Sequence, residues 1–164
     1  MQPLNLSHEQ LRGILETLLS TGAAFAEIFL ETRTPSSLSW EDGRLDEAAS
    51  GTDAGAALRI VQEGVTYSAG GNDRSFEGLQ ALAAGLSRSL SGARRAVPRP
   101  FRDSTAPTPS VVRLRPGQVG IEQRVALLRR ADSAARGFDA RIVQASSYLI
   151  DTEREVWIAS SEGV

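Results

Sequence analysis

The sequence predicts an α+β fold: an antiparallel β-meander packed with two helices, followed by a truncated second α-β-β unit. Three observations carry this. Residues 8–21 and 76–90 repeat apolar side chains at helical spacing, and between them the period drops to two. Glycine-bearing turns punctuate that middle stretch at Asp42-Gly43, Gly51 to Gly55 and Glu63-Gly64. After a proline-rich stretch, one more helix and two strands then repeat the opening order of elements.

The first helix starts at Leu6-Ser7-His8-Glu9-Gln10-Leu11. Ser7 can accept from an early backbone N–H, Gln10 can reach back, and Leu6 can pack on Leu11. Leu11, Ile14, Leu15, Leu18 and Leu19 share one face, and Gly22 supplies a left-handed stop, so the helix spans about His8 to Thr21. From Ala24 the chain alternates, with Ala26, Ile28 and Leu30 inward and Glu27 and Glu31 outward. Pro35-Ser36 is expected to break this strand. A new one, Leu38-Ser39-Trp40, then reaches Asp42-Gly43, whose residues suit the two positive-φ positions of a tight hairpin.

Arg44-Leu45 begins the return, Gly51 and Gly55 bracket a turn, and Ala56, Leu58 and Ile60 face one way with Arg59 opposite. Glu63-Gly64 turns the chain into Val65-Thr66-Tyr67, making about five short strands in all. Gly70-Gly71-Asn72-Asp73 ends the sheet. A second helix with Phe76, Leu79, Leu82, Ala83, Leu86 and Leu90 on its stripe stops near Gly92.

Five prolines between Val97 and Pro116 then dictate an extended connector, because proline fixes φ and lacks an amide donor. A third helix, about Val119 to Arg136, carries Ile121, Val125, Leu128, Ala131 and Ala135 on one face and ends at Gly137. Two strands follow, about 140–150 and 155–160, joined through Asp151-Thr152-Glu153. The resulting division is an N-terminal α+β domain at 1–95, a Pro/Arg-rich connector at 96–118, and the start of a second domain at 119–164. The last turn is only beginning at Glu162-Gly163-Val164, so the chain reads as cut, and its unfinished sheet edge is expected to associate or be poorly ordered.

Composition narrows the chemistry. The 164 residues contain one histidine, His8, and no cysteine, which removes disulfides, thiolate nucleophiles and thiolate metal sites together. All eighteen basic residues are arginine, so there is no lysine for a phosphate loop, a Schiff base or a general base. No apolar run approaches the roughly 20 residues that span a bilayer, and Met1 to Ser7 is not a secretory start. Cytoplasm is the expected compartment. Charge is uneven: through Leu79 twelve acids face five arginines, whereas Arg88 to Arg115 holds seven arginines and one acid, Asp103.

Candidate sites are few. A lone His8 in the first turn of a capped helix lacks partner ligands and reads as a solvated side chain. Gly70-Gly71-Asn72 has no accompanying lysine, so it reads as a strand-to-helix turn and not a phosphate cradle. Glu41 and Asp42 flank a hairpin turn instead of opposing each other as an acid/base pair. The arginines of the connector have one neighbouring aromatic, Phe101, and no stacking series, which argues for a solvated or internally paired segment over a nucleic-acid contact. Arg59 and Asn72 are the polar groups best placed to handle an extended peptide pairing with a sheet edge, against the plainer roles of salt bridge and helix cap.

The ordered motifs resemble those of the TldD/PmbA family, named as modulators of DNA gyrase and understood as zinc-dependent peptidases. Gly22-Ala23-Ala24-Phe25-Ala26-Glu27 is similar to the family's Gly-Ala-Asp-Tyr-Ala-Glu strand, with Ala24 and Phe25 departing from it. Glu41-Asp42-Gly43-Arg44 matches its Glu-Asp-Gly-Arg hairpin. Gly55, Arg59, Gly64 and Asn72 follow its Gly-x-Gly-x-Arg strand, glycine turn and asparagine, with Ala57 in place of a common glycine. Arg141-Ile142-Val143-Gln144 and Ile158 to Gly163 look like its middle domain, Ser160 standing where the Asn-Ser-x-Gly motif has asparagine.

The resemblance implies an N-terminal scaffold and peptide-channel wall of a metallopeptidase that works as a homo- or heterodimer with a related subunit. The family's His-Glu-x-x-x-His helix and cysteine ligand have no counterpart here, so no catalytic or metal-binding residue and no cofactor is assigned to this chain. Zinc belongs to the full-length family. The alternatives are a non-catalytic binding module or metal-less partner subunit, and an anion- or nucleic-acid-binding adaptor using the arginine connector.

Overall fold

The computed structural model describes residues 6–90, 98–102 and 112–163. Three helices, α1 (His8–Leu19), α2 (Phe76–Arg88) and α3 (Ile121–Phe138), accompany five strands: β1 (Phe25–Glu41), β2 (Arg44–Ser50), β3 (Asp53–Gln62), β4 (Val65–Gly71) and β5 (Ser146–Ser160). The α+β class holds. The chain forms two compact units built from interleaved segments: residues 1–32, 54–107 and 155–164 in one, 33–53 and 108–154 in the other. Strands β1 and β5 each contribute residues to both units.

In the first unit the expected capping box closes α1: the Ser7 hydroxyl accepts from the Gln10 amide at 3.2 Å and the Ser7 amide donates to Gln10 Oε1 at 2.8 Å. Gly22 adopts φ +88° where the helix is left behind. One face of α1 (Leu11, Ile14, Leu15, Leu18, Leu19) buries completely against Ala26, Ile28 and Leu30 of β1, Leu58 and Ile60 of β3, and Leu79, Ala83 and Leu86 of α2. Each leucine and isoleucine among them contributes roughly 1.5–3 kcal/mol of burial free energy, so this cluster is the main source of the unit's cohesion. Helix α2 is capped by Ser75, which accepts from the Gly78 amide at 3.1 Å. The two helices are tied by the Ser87 hydroxyl donating to the Thr17 carbonyl at 3.1 Å.

Strand β3 pairs antiparallel with β4 from Ala56↔Gly71 to Gln62↔Val65, around a turn with Glu63 at φ +52° and Gly64 at φ +80°. Strand β1 hydrogen-bonds β2, β3 and β5. The middle of the chain is therefore two hairpins joined through β1 and β3, with four strands in place of the five short ones expected.

The missing break is at Pro35. Strand β1 runs through it without interruption. The last β1–β2 pair is Ser36↔Ser50, and Pro35 contributes its carbonyl, which accepts from the Gly51 amide at 3.3 Å. Proline sits where the β2 ladder ends, so its absent N–H leaves no rung unmade. Likewise β5 is one continuous strand where a turn through 151–153 was expected. Asp151 and Glu153 are its alternating, half-covered positions, which a turn assignment mistook for punctuation.

The second unit is thinner. Helix α3 buries Leu128 against Leu38 and Trp40 of β1, with Val125 and Leu149 alongside. Ile121 is exposed and Ala131 lies on the open side, so the expected stripe is rotated toward Asp132, which is 8% exposed and accepts from Arg136 Nε at 3.0 Å. The helix also runs through Gly137 to Phe138, with Asp139 at its end. The Gly92 stop expected for α2 lies outside the described residues, and Ser89 is the cap found.

Candidate functional site

Arg59 stands on β3 between the buried Leu58 and Ile60 and so faces away from the helices. Its guanidinium donates to Glu27 Oε2 at 3.1 Å and lies 5.2 Å from the centre of the Phe25 ring. With the arginine side chain 45% exposed, this pair contributes at most about 1 kcal/mol. Across the ladder Arg59 opposes Ser68, while Asn72 follows the end of β4 and is exposed. Four residues of strand, about 13 Å, separate those two levels, so the fold puts Arg59 and Asn72 on one hairpin without bringing them together.

Asn72 is not the helix cap. Ser75 fills that role, and Asp73 Oδ1 accepts from the Ser75 amide at 2.9 Å. The hydrogen bonds from the Ser75 side chain and then its backbone hold the Asp73 carboxyl below its ordinary range. Asn72 instead lies near Gly55: a side chain at Gly55 would approach the Gly71 carbonyl to 3.4 Å and Asn72 Oδ1 to 3.8 Å. Gly55 is thus a strand position of close backbone approach, not the turn residue it was expected to be. Gly22, Asp42, Gly43 and Gly64 do occupy positive-φ turn positions, and Gly137 is helical.

Strand β4 pairs only with β3 among the described residues, leaving one edge of backbone donors and acceptors without a strand partner. Val65 and Tyr67 are partly exposed along it, and Gly70 and Gly71 carry no side chain to shield it. Such an edge can accept an added extended segment.

The donor set does not suit a catalytic zinc ion. No group of three or more His, Asp or Glu side chains gathers at metal-binding distance among the described residues. The sole histidine, His8, packs its ring 5.5 Å from that of Phe101. A catalytic zinc site takes three protein ligands and a water, which the described residues do not assemble. Of the connector arginines, Arg115 is internally paired, donating to Glu153 Oε1 at 2.7 Å.

Sequence reasoning missed two polar clusters. One joins Arg124, Ser36 and Asp151. The other joins Ser161 to Ala26 and Arg99. Their members are 27 to 135 residues apart, and no local pattern marks them.

Models of two successive domains match the sequence: PmbA/TldA metallopeptidase domain 1 at residues 26–93 and the PmbA/TldA metallopeptidase central domain at 114–164. The chain belongs to the TldD/PmbA family. Solved structures agree with that fold. A proposed modulator of DNA gyrase from Bacteroides thetaiotaomicron matches with TM-score 0.70 at 17% identity, over 95% of this chain and 37% of its own. A second, from Thermotoga maritima, gives TM-score 0.68 at 14% identity over 95% and 35%. TldE from Thermococcus kodakarensis gives 0.58 at 15% identity over 92% and 35%. This TldD/PmbA chain therefore spans little more than a third of the solved relatives it matches. No curated protein matches it. Among the described residues no helix is long and apolar enough to cross a membrane.

Proposed function

We propose that this chain is the N-terminal scaffold of a TldD/PmbA-like zinc metallopeptidase and forms one wall of its peptide channel. The observation that carries this reading is the succession of domain 1 and central domain in a chain whose described residues offer no ligand set for zinc. Hydrolysis is then the task of a portion bearing the metal, where zinc supplies an activated water and polarises the scissile carbonyl.

This chain's residues hold the substrate. The free edge of β4 takes an extended peptide by backbone pairing, and Arg59 and Asn72 contact it at two levels of the hairpin. The Glu27 pair keeps Arg59 oriented without consuming all five of its donors. The working unit is a dimer with a related subunit, in the cytoplasm.

Two measurements test the proposal. The purified chain, dialysed against zinc and desalted, should retain no stoichiometric metal and cleave no peptide; a bound, catalytically active zinc would defeat it. In a longer TldD/PmbA chain that includes the metal site, replacing the residues equivalent to Arg59 and Asn72 with alanine should raise KM for peptides. Unchanged KM would reject the peptide-contact role.

A further inference from the structure

The sequence motif Ser160-Ser161-Glu162-Gly163 has no part in the peptide-handling surface, yet it is among the most heavily bonded spots of the first unit. Ser160 and Ser161 are buried polar residues at the end of β5. Ser161 grips β1 twice: its amide donates to the Ala26 carbonyl at 2.8 Å, and its hydroxyl accepts from the Ala26 amide at 3.1 Å. The turn then closes on itself, the Gly163 amide donating to the Ser160 carbonyl at 3.1 Å.

Its remaining acceptors face the segment Pro98-Arg99-Pro100-Phe101-Arg102. The Arg99 amide donates to the Ser161 carbonyl and the Arg102 amide to the Gly163 carbonyl, both at 2.9 Å. Pro98 is buried, and Phe101 packs against the unit's core and beside His8.

We infer that the Ser160–Gly163 turn is an intramolecular docking site for this proline-framed extended segment, and that Gly163 is what keeps the site open. Gly163 has φ +89°, and a β-carbon there would collide with the Pro100 carbonyl oxygen. Only glycine satisfies both the backbone angle and the approach of the segment. The occupant is equally specified. Prolines at 98 and 100 carry no amide donor themselves, and they hold the intervening residue extended before docking, which lowers the entropy cost of binding. The aromatic at 101 supplies the apolar anchor. The turn therefore ties the polypeptide leaving α2 back onto the unit it came from, at a point that also holds the start of β1.

Amide hydrogen exchange on the full chain tests this. In the native chain the Arg99 and Arg102 amides should be protected. Gly163→Ala should speed their exchange by about tenfold or more, given the left-handed penalty, while amides of β3 keep their protection. Because Gly163→Ala also perturbs the turn, a second variant, Pro98→Ala with Pro100→Ala, leaves the turn intact and should produce the same selective loss at 99 and 102. Exchange of Arg99 and Arg102 at solvent rates in the native chain, or unchanged protection in both variants, would overturn the inference.

Discussion

The Arg124 guanidinium reaches from α3 to the Asp151 carboxylate of β5 at 2.6 Å, and its same nitrogen donates to the Ser36 hydroxyl of β1, which in turn donates to Asp151 at 2.9 Å. One cation thereby fastens a helix to two strands in a unit whose apolar core has three buried members among the described residues. Both side chains are largely withdrawn from water, at 14% and 23% exposure. Removing the arginine leaves the carboxylate partly desolvated without its partner, and Arg124→Ala should cost about 2–4 kcal/mol. Arg124→Lys should recover only part of this, because an ammonium is a more strongly hydrated point charge on a flexible stem and loses more on being withdrawn from water. Urea unfolding followed by tryptophan fluorescence, with Trp157 replaced by phenylalanine so that Trp40 alone reports, measures both; an Arg124→Lys variant as stable as the native chain would show that charge alone matters.

The Asp42-Gly43 turn uses two left-handed residues, at φ +48° and +77°, to join Glu41 to its partner Arg44. Gly43→Ala should destabilise the protein by about 1–2 kcal/mol through backbone strain alone, since nothing crowds a β-carbon at that position. Gly51→Ala, equally uncrowded and free of a positive φ, should cost less. Thermal denaturation of the pair separates conformational strain from generic glycine loss.

Acid should weaken the entry to α2. The Asp73 carboxyl titrates below its ordinary value because the Ser75 hydrogen bonds favour its charged form. A depressed folded pKa means that the contribution is complete above the ordinary carboxylate range and is lost as pH falls through the folded value. Asp73→Asn has no such contribution to lose. The melting temperatures of native chain and variant should therefore differ near neutrality and converge as the pH drops below the carboxylate range; a constant gap would mean that Asp73 acts through something other than its charge.

The parts of the fold legible in the sequence are those fixed by neighbours in the chain. The Ser7 and Gln10 box, the Asp42-Gly43 and Glu63-Gly64 turns and the α1 stripe are local, and each is where the residues put it. Pro35 misled because its meaning depends on which strand lies beside it, a fact carried by Gly51 and Ser50. Asp151 and Glu153 misled for a related reason: Arg124 and Arg115 neutralise them within a strand, so polar residues that resemble a turn belong to a ladder. At the candidate site, the facing of Arg59 was readable from strand alternation, whereas its partner Glu27 lies 32 residues away and the capping by Ser75 displaced the role expected of Asn72.

Core size sets the order in which the two units give way. Leu58 of β3 sits inside the large cluster shared with α1 and α2, while Leu128 of α3 is one of the two described buried residues that pack with Trp40. Truncating either to alanine costs about 2–5 kcal/mol, but the smaller cluster has less to lose before its packing fails, and the α3 surface is otherwise polar or exposed. Leu128→Ala should therefore release amide protection across residues 146–154 and α3 while the β3 amides of Leu58 and Ile60 stay protected. Leu58→Ala should instead lower the melting temperature of the first unit, with α1 and β3 losing protection together. Uniform loss of protection in Leu128→Ala would show that the second unit is held by the long strands β1 and β5 and not by its own small core.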